Sequence, residues 1–296
     1  MRKKLLLLIN PKSGRGVIKE HLLLIVTQLS QAGYEVTVYP TKAKHDATRK
    51  MFTARKYDQI VVAGGDGTLN EVIAGAIEHH INIPIGYLPA GTTNDFATNL
   101  NIPKNIPKAI ELCLTGNPVS IDIGQFNDRY FTYVAAFGAF TDVAYETPQP
   151  RKNMLGRLAY LIEGLLKLPT IHSYQCKIFY NDGFVEGNYI FGMISNSDSV
   201  GGIRQAFGQV ANLNDGLFEV TLIKMPQNII DLHRILTDFL NTEYDPEYVM
   251  TFKTNRITFE CNEPVKWTLD GEEGGLIENC TIKNLQRRVQ IIGEPK

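Results

Sequence analysis

The first 120 positions alternate between two patterns. Strand-like segments occur at Leu5–Ile9, Glu35–Tyr39, Gln59–Ala63 and Ile83–Leu88. Helical spacing of apolar residues occurs at Val17–Gln31 (ending at Gly33), near Ala47–Arg55, from Thr68 to about His80, at Thr93–Asn99 and at Pro107–Leu114. Strands alternating with helices predict βαβ units and a mostly parallel sheet covered on both faces. Ligands of such sheets sit beyond the carboxyl ends of the strands. In the Thr68 helix, Leu69, Val72, Ile73, Ala76 and Ile77 make one face, and Thr68 and Glu71 have the spacing of a capping box.

From about Ser120 the pattern changes. Ile121–Phe126, Arg129–Phe137, Gln175–Tyr180, Gly183–Ser195, Phe218–Lys224, Val249–Phe252, Arg256–Cys261, Val265–Asp270 and Cys280–Ile292 all read as strands. Asn181-Asp182-Gly183 is a hairpin signal. Two helical stretches, Met154–Leu168 and Gln227–Leu240, interrupt the run. The chain therefore divides into an α/β domain (1–120) and a strand-rich domain of β-sandwich or barrel type (121–296), joined without a low-complexity linker. A cleft between the two is expected.

Composition narrows this picture only a little. With 296 residues, 44% hydrophobic and 21% charged, the chain is globular. A net charge of -1 gives no support to nucleic-acid binding by bulk positive charge. The run Met1-Arg2-Lys3-Lys4-Leu5-Leu6-Leu7-Leu8-Ile9 mimics a signal peptide, but it is short and lacks a small-residue cleavage pattern, so a first strand is expected. No apolar run approaches a membrane span. Cys113, Cys176, Cys261 and Cys280 are widely spaced, which predicts isolated reduced thiols in a cytoplasmic protein. Adjacent His79 and His80 read as helix-end residues.

The chemistry-bearing stretches are three glycine-rich turns, each following a predicted strand. They are Asn10-Pro11-Lys12-Ser13-Gly14-Arg15-Gly16, Gly64-Gly65-Asp66-Gly67-Thr68 and Pro89-Ala90-Gly91-Thr92-Thr93-Asn94-Asp95. Parallel strands share a direction, so all three should emerge at one sheet edge. They would offer backbone donors at close range and a helix N-terminus. They also supply the hydroxyls of Ser13, Thr68, Thr92 and Thr93, the cations Lys12 and Arg15, and the carboxylates Asp66 and Asp95. A nucleoside triphosphate with Mg²⁺ needs this mixture. No GxxxxGK[ST], complete GxGxxG or HRDxxxxN is present.

NPKSG, GGDGTLNE and PAGTTNDFA, in this order, resemble the diacylglycerol kinase catalytic superfamily, especially its bacterial soluble lipid kinases. Leu213-Asn214-Asp215-Gly216-Leu217 resembles that family's DG motif, and Leu269-Asp270-Gly271-Glu272 its DGE motif. The loop Asp198–Val210 lacks the proline usual before the DG motif. The resemblance implies a Rossmann-like α/β nucleotide-binding domain followed by a β-sandwich lipid-substrate domain. It implies ATP and Mg²⁺ as cofactors. Asn10, Pro11, Lys12, Ser13, Gly14, Gly64, Gly65, Asp66, Gly67, Thr68 and Asn70 would hold phosphates, with Thr41 and Thr92 as further nucleotide contacts. Asp66 and Asp95 would organise metal and phosphoryl group, and Glu272 would act as general base. Asp215, the carbonyl of Leu217 and Asn212 would hold a structural Mg²⁺.

The implied acceptor is a membrane lipid alcohol, diacylglycerol first, reached by peripheral contact. Oligomeric state is left open by the sequence, with a homodimer as one outcome. The Met154–Leu168 stripe, with Arg151, Lys152 and Arg157, reads first as a core-packing helix and alternatively as a membrane-facing one. An NAD kinase-like phosphotransferase shares the GGDGT turn but not the other two loops. A regulator that binds nucleotide without turnover is the alternative outside enzymes.

Overall fold

The computed structural model describes residues 2–92, 94–138, 172–181, 183–197, 199–200, 203–204, 212–228, 230–235 and 245–293. Thr93, Asp182, the Met154–Leu168 stripe with its flanking cations, most of Asp198–Val210 and the end of Gln227–Leu240 lie outside these residues. The fold is mixed α/β with a sheet-rich C-terminal portion. The chain forms two compact units, residues 1–123 with 286–296, and residues 124–285.

Unit 1 holds β1 (Lys3–Ile9), α1 (Val17–Gln31), β2 (Tyr34–Pro40), α2 (Asp46–Met51), β3 (Gln59–Gly64), α3 (Asp66–Glu78), β4 (Ile85–Pro89), α4 (Asp95–Asn99) and α5 (Ile106–Thr115). Its strands run β2-β1-β3-β4, all parallel. β1, β3 and β4 are almost wholly buried, as expected of strands covered on both faces. Leu5, Leu7, Val61 and Leu88 pack against Ile18, Ile25 and Leu29 of α1 and Ile110 of α5. The last strand, β15 (Glu272–Gly293), crosses the division between units; its end adds a parallel contact to β4, Ile291 to Ile85.

Unit 2 is antiparallel. It contains β6 (Arg129–Phe131), β7 (Val134–Gly138), β8 (Tyr174–Tyr180), β9 (Gly183–Ser195), β12 (Phe218–Lys224), β13 (Val249–Thr254), β14 (Arg256–Leu269), most of β15 and the end of β5 (Asn117–Phe126). A two-stranded ribbon, β10 (Ser199–Val200) with β11 (Ile203–Arg204), lies between β9 and β12 in the chain. Both β7 and β8 pair with β9 and β14. The core centres on Phe137, Phe259 and Trp267, whose rings meet at 4.8–5.7 Å.

Several expectations are corrected. Arg129–Phe137 is two strands, because the backbone N–H groups of Thr132, Tyr133 and Val134 all turn onto the Asp270 carboxylate. A regular strand alternates its N–H directions and cannot do this. Arg256–Cys261 and Val265–Asp270 are one strand, β14, with a register shift between Glu260 and Val265. Thr68 and Glu71 form no capping box: α3 starts at Asp66 with Gly65 as its N-cap. Glu71 instead accepts the N–H groups of His45 and Ala47 at 2.7 and 3.2 Å, capping α2 from the neighbouring helix.

The cysteines are not all reduced. Cys176 and Cys261 form a disulfide, while Cys113 and Cys280 are buried free thiols. The bonded pair faces across β8 and β14 in register, with Cα atoms 4.1 Å apart. A separation of 85 residues hides that proximity from the sequence.

Candidate active site

In unit 1 the three glycine turns converge at the carboxyl edge of the sheet. Asn10, just past β1, donates its amide to Thr68 Oγ1 at 3.0 Å. Its Oδ1 accepts the N–H of Lys12, which folds Pro11 and Lys12 into a tight turn. Ser13 Oγ accepts the N–H of Gly65 at 3.3 Å. Residues Ser13–Gly16 are a short 3-10 helix rather than an irregular loop.

The glycines are required by this convergence. Gly14 has φ +58°, and a Cβ there would lie 2.0 Å from the Ala90 carbonyl oxygen. A Cβ on Gly91 would lie 2.8 Å from Gly65 Cα. Backbone meets backbone at both crossings, so no side chain fits. Thr41 joins the same edge through its N–H to the Ile9 carbonyl at 2.8 Å.

Asp66 is the first residue of α3, and Asp95 the first residue of α4. The Asp95 N–H donates to Asp66 Oδ2 at 3.2 Å, so the two acidic helix starts are tied together. Gly67, Thr68 and Asn70 follow within the first turns of α3, whose N-terminal amides and dipole favour an anion. Thr92 and Lys12 are exposed beside this edge.

Two residues of this arrangement carry roles that the sequence reading did not assign. Tyr87, fully buried in β4, directs its hydroxyl at Asp66 Oδ1 (3.5 Å) and Asn94 Oδ1 (3.3 Å). Burial, then the Asp66 charge, pushes its phenol well above the ordinary tyrosine value, so it remains a donor. Asn94 adopts φ +52° and closes the third loop by bonding both the N–H and the carbonyl of Gly91. The usable signal for Tyr87 was a polar-tipped aromatic at the carboxyl end of an otherwise apolar strand.

In unit 2 the DGE stretch forms a two-residue hairpin turn. Leu269 pairs with Glu272, and Asp270 and Gly271 have φ +50° and +77°. Positive φ at both positions is what a type I′ turn demands. Glu272 is thus the exposed first residue of β15, one position beyond the turn itself. The turn is held by Asp270, whose carboxylate accepts three backbone N–H groups and the Thr132 hydroxyl at 2.6–3.1 Å. Burial nevertheless raises the Asp270 carboxyl above its ordinary value.

The DG stretch lies elsewhere in unit 2. Asp215 Oδ1 accepts the Leu217 N–H at 3.0 Å, and Asn212 Oδ1 accepts the Asn214 N–H at 3.3 Å. Glu219, two residues further on, was missed. It is 4% exposed, and Lys253 Nζ lies 2.8 Å from its Oε1 and 3.9 Å from Asp215 Oδ2. Glu219 Oε2 is buried with no hydrogen-bond partner. Burial raises the Glu219 carboxyl despite the lowering effect of Lys253. Among the described residues, no group of three or more His, Cys, Asp and Glu side chains is arranged around a metal position.

This geometry meets its relatives at full length. The family model of the diacylglycerol kinase catalytic domain matches residues 4–126. A diacylglycerol kinase of Bacillus subtilis (strain 168) is 35% identical over 294 residues, covering 98% of this chain and 96% of that protein. The chain belongs to the diacylglycerol kinase catalytic family. Family membership makes it a lipid kinase. A diacylglycerol kinase of Staphylococcus carnosus (strain TM300) is 32% identical over 295 residues, at 98% and 95% coverage. The crystal structure of a diacylglycerol kinase from Bacillus anthracis str. Sterne superposes with a TM-score of 0.77 at 26% identity, covering 99% of this chain and 98% of that one. A further structure from that organism reaches 0.82. The GGDGT and PAGTTNDFA turns both fall inside the matched segment 4–126.

Proposed function

We propose that this kinase transfers the γ-phosphoryl group of ATP to the hydroxyl of diacylglycerol, giving phosphatidic acid. The observation that supports the reading best is the crossing of the three glycine turns, which leaves backbone N–H groups, hydroxyls and two carboxylates at one edge without side-chain bulk. Phosphoryl transfer is mainly positioning and charge stabilisation, and these groups suit both tasks.

In this reading Asn10–Gly14 and Gly64–Asn70 hold the phosphates, with Thr41 and Thr92 contacting the nucleotide. Unit 1 is then a Rossmann-like nucleotide domain, and unit 2 a sandwich-type domain for the lipid. Asp66 and Asp95 suit a nucleotide-bound Mg²⁺, because this ion binds through one or two carboxylates plus substrate oxygens and does not need a protein cage. When bound, the ion neutralises charge on the phosphates. Tyr87 keeps the Asp66 carboxylate oriented by hydrogen bonding.

Glu272 removes the proton of the attacking alcohol; it is exposed and lies at a rigid turn. Asp215, the Leu217 carbonyl and Asn212 form an oxygen-only set suited to a second, structural Mg²⁺. The buried, unpartnered Oε2 of Glu219 near Asp215 adds to that fit. The lipid is met at a membrane surface by peripheral contact; no described helix is long and apolar enough to cross a membrane.

The test is a panel of lipid alcohols with labelled ATP, run on the natural chain and on Asp66→Asn and Glu272→Gln. Diacylglycerol should be labelled best, and each variant should lose about 100-fold or more in kcat while keeping its fold. Labelling of another alcohol in preference would replace the acceptor. Full activity of either variant would remove that residue's role.

A further inference from the structure

Glu272 lies between two structural devices, and only the first includes a residue of the DGE motif. Before it, Asp270 pins the turn to the Thr132–Val134 backbone. After it, β15 carries a bulge. Thr268 pairs with Glu273 and Trp267 with Gly275, so Gly274 is an extra residue with no partner of its own. Bulges of this kind leave main-chain groups off the ladder and re-aim neighbouring side chains. Gly274 is confined there, since a Cβ would lie 2.7 Å from the Trp267 backbone. Gly275 has φ +100°.

The carbonyls at this bulge are taken by one distant side chain. Arg129, at the start of β6, donates Nη1 to the Gly274 carbonyl at 2.8 Å and Nη2 to the Glu273 carbonyl at 3.0 Å. The two ends of a planar guanidinium thereby fix two consecutive peptide units. The next peptide unit toward the N-terminus carries the Glu272 side chain. Its other flank is held by Asp270, so Arg129 braces the segment from the opposite side, at the bulge.

We propose that Arg129 is a positioning residue for Glu272: its guanidinium holds the Glu273–Gly275 bulge and thereby sets the aim of the Glu272 carboxylate. This rests on Glu272 being the base. A base displaced by about 1 Å loses rate in the chemical step while nucleotide binding is spared. Lysine in its place has one point charge and cannot span both carbonyls.

The test compares Arg129→Ala, Arg129→Lys, Glu272→Gln and the double variant Arg129→Ala/Glu272→Gln in the full chain, with kcat, KM for ATP and thermal melting measured for each. Arg129→Ala should lower kcat about 10- to 100-fold. KM for ATP should hold within about twofold, and melting should move by only about a few degrees. Arg129→Lys should recover part of the rate, as should free guanidinium ion added to Arg129→Ala. Added to Glu272→Gln, Arg129→Ala should cause no further loss, because both changes remove one function. The proposal is overturned if Arg129→Ala keeps the natural kcat. It is equally overturned if the loss tracks a collapse in melting and recurs in full on top of Glu272→Gln. A fully active Glu272→Gln is a separate failure: it removes the base assignment itself, and the positioning role with it, whatever Arg129→Ala does.

Discussion

At the scale of single residues, the glycines of the phosphate edge can be ranked. Gly14→Ala combines a left-handed φ with a Cβ driven into the Ala90 carbonyl. It should cost about 2 kcal/mol or more and abolish nucleotide binding, read by urea unfolding and ATP titration. Gly65→Ala has an ordinary φ of -89° and a nearest contact of 3.2 Å, so its loss should be well below that of Gly14→Ala. Equal effects would refute the crossing as the reason for Gly14.

Glu219 gives a pH prediction. Its folded carboxyl is raised, so the folded state holds the proton more tightly than the unfolded chain does. Stability therefore falls as pH rises from the ordinary glutamate value through the raised one. Glu219→Gln should be indifferent across that window, gaining on the natural chain in melting temperature as the pH rises above the ordinary glutamate value. The glycines and Asp66 were legible in the sequence because their local pattern is their function. Glu219 and Arg129 were not, since Glu219 sits in a plain strand pattern and the partners of Arg129 lie 144 and 145 residues away.

At the scale of elements, α1 was legible to its ends, because a long amphipathic run closed by Gly33 carries its own boundaries. Short elements depend on partners. α2 has six residues, and its cap comes from Glu71, on α3. Glu71→Ala should cost about 1 kcal/mol by denaturant unfolding and loosen the 41–45 segment that leads into α2. Amide exchange should locate the change at His45 and Ala47, whereas a loss confined to α3 would restore the capping-box reading. The strand pair β8 and β14 is likewise fixed by something no local pattern reports. The Cys176–Cys261 bond closes a span of 85 residues, and Cys176→Ser/Cys261→Ser should lower stability by about 2–4 kcal/mol under oxidising conditions. Under reducing conditions the gap between the double variant and the natural chain should shrink to the cost of burying two serine hydroxyls, and the difference between the two conditions isolates the bond from the packing of the two side chains.

At the scale of the molecule, the strand pattern near the C-terminus was readable, while the strand to which it would pair was not. An alternating run announces a strand, but its neighbour is chosen by burial elsewhere in the fold. β15 begins beside the Glu272 turn in unit 2 and ends in unit 1, where Ile291 is fully buried against Ile85. Val289 and Ile292 are buried beside it, and Gly116 accepts the Ile292 side chain so closely that a Cβ would come within 2.9 Å. Ile291→Ala should therefore cost about 2–5 kcal/mol and weaken ATP binding, since β4 leads directly into the Pro89–Asp95 turn. Leu276→Ala, on the same strand but 69% exposed, should be close to neutral. The strand propensities of Ile and Leu differ by less than about 1 kcal/mol, so they cannot account for a larger gap between the two changes. Paired unfolding curves and ATP titrations then decide whether the C-terminal segment is a structural part of the nucleotide unit: equal, small effects would detach it, and a loss of ATP affinity confined to Ile291→Ala would make those last residues a support of the phosphate edge.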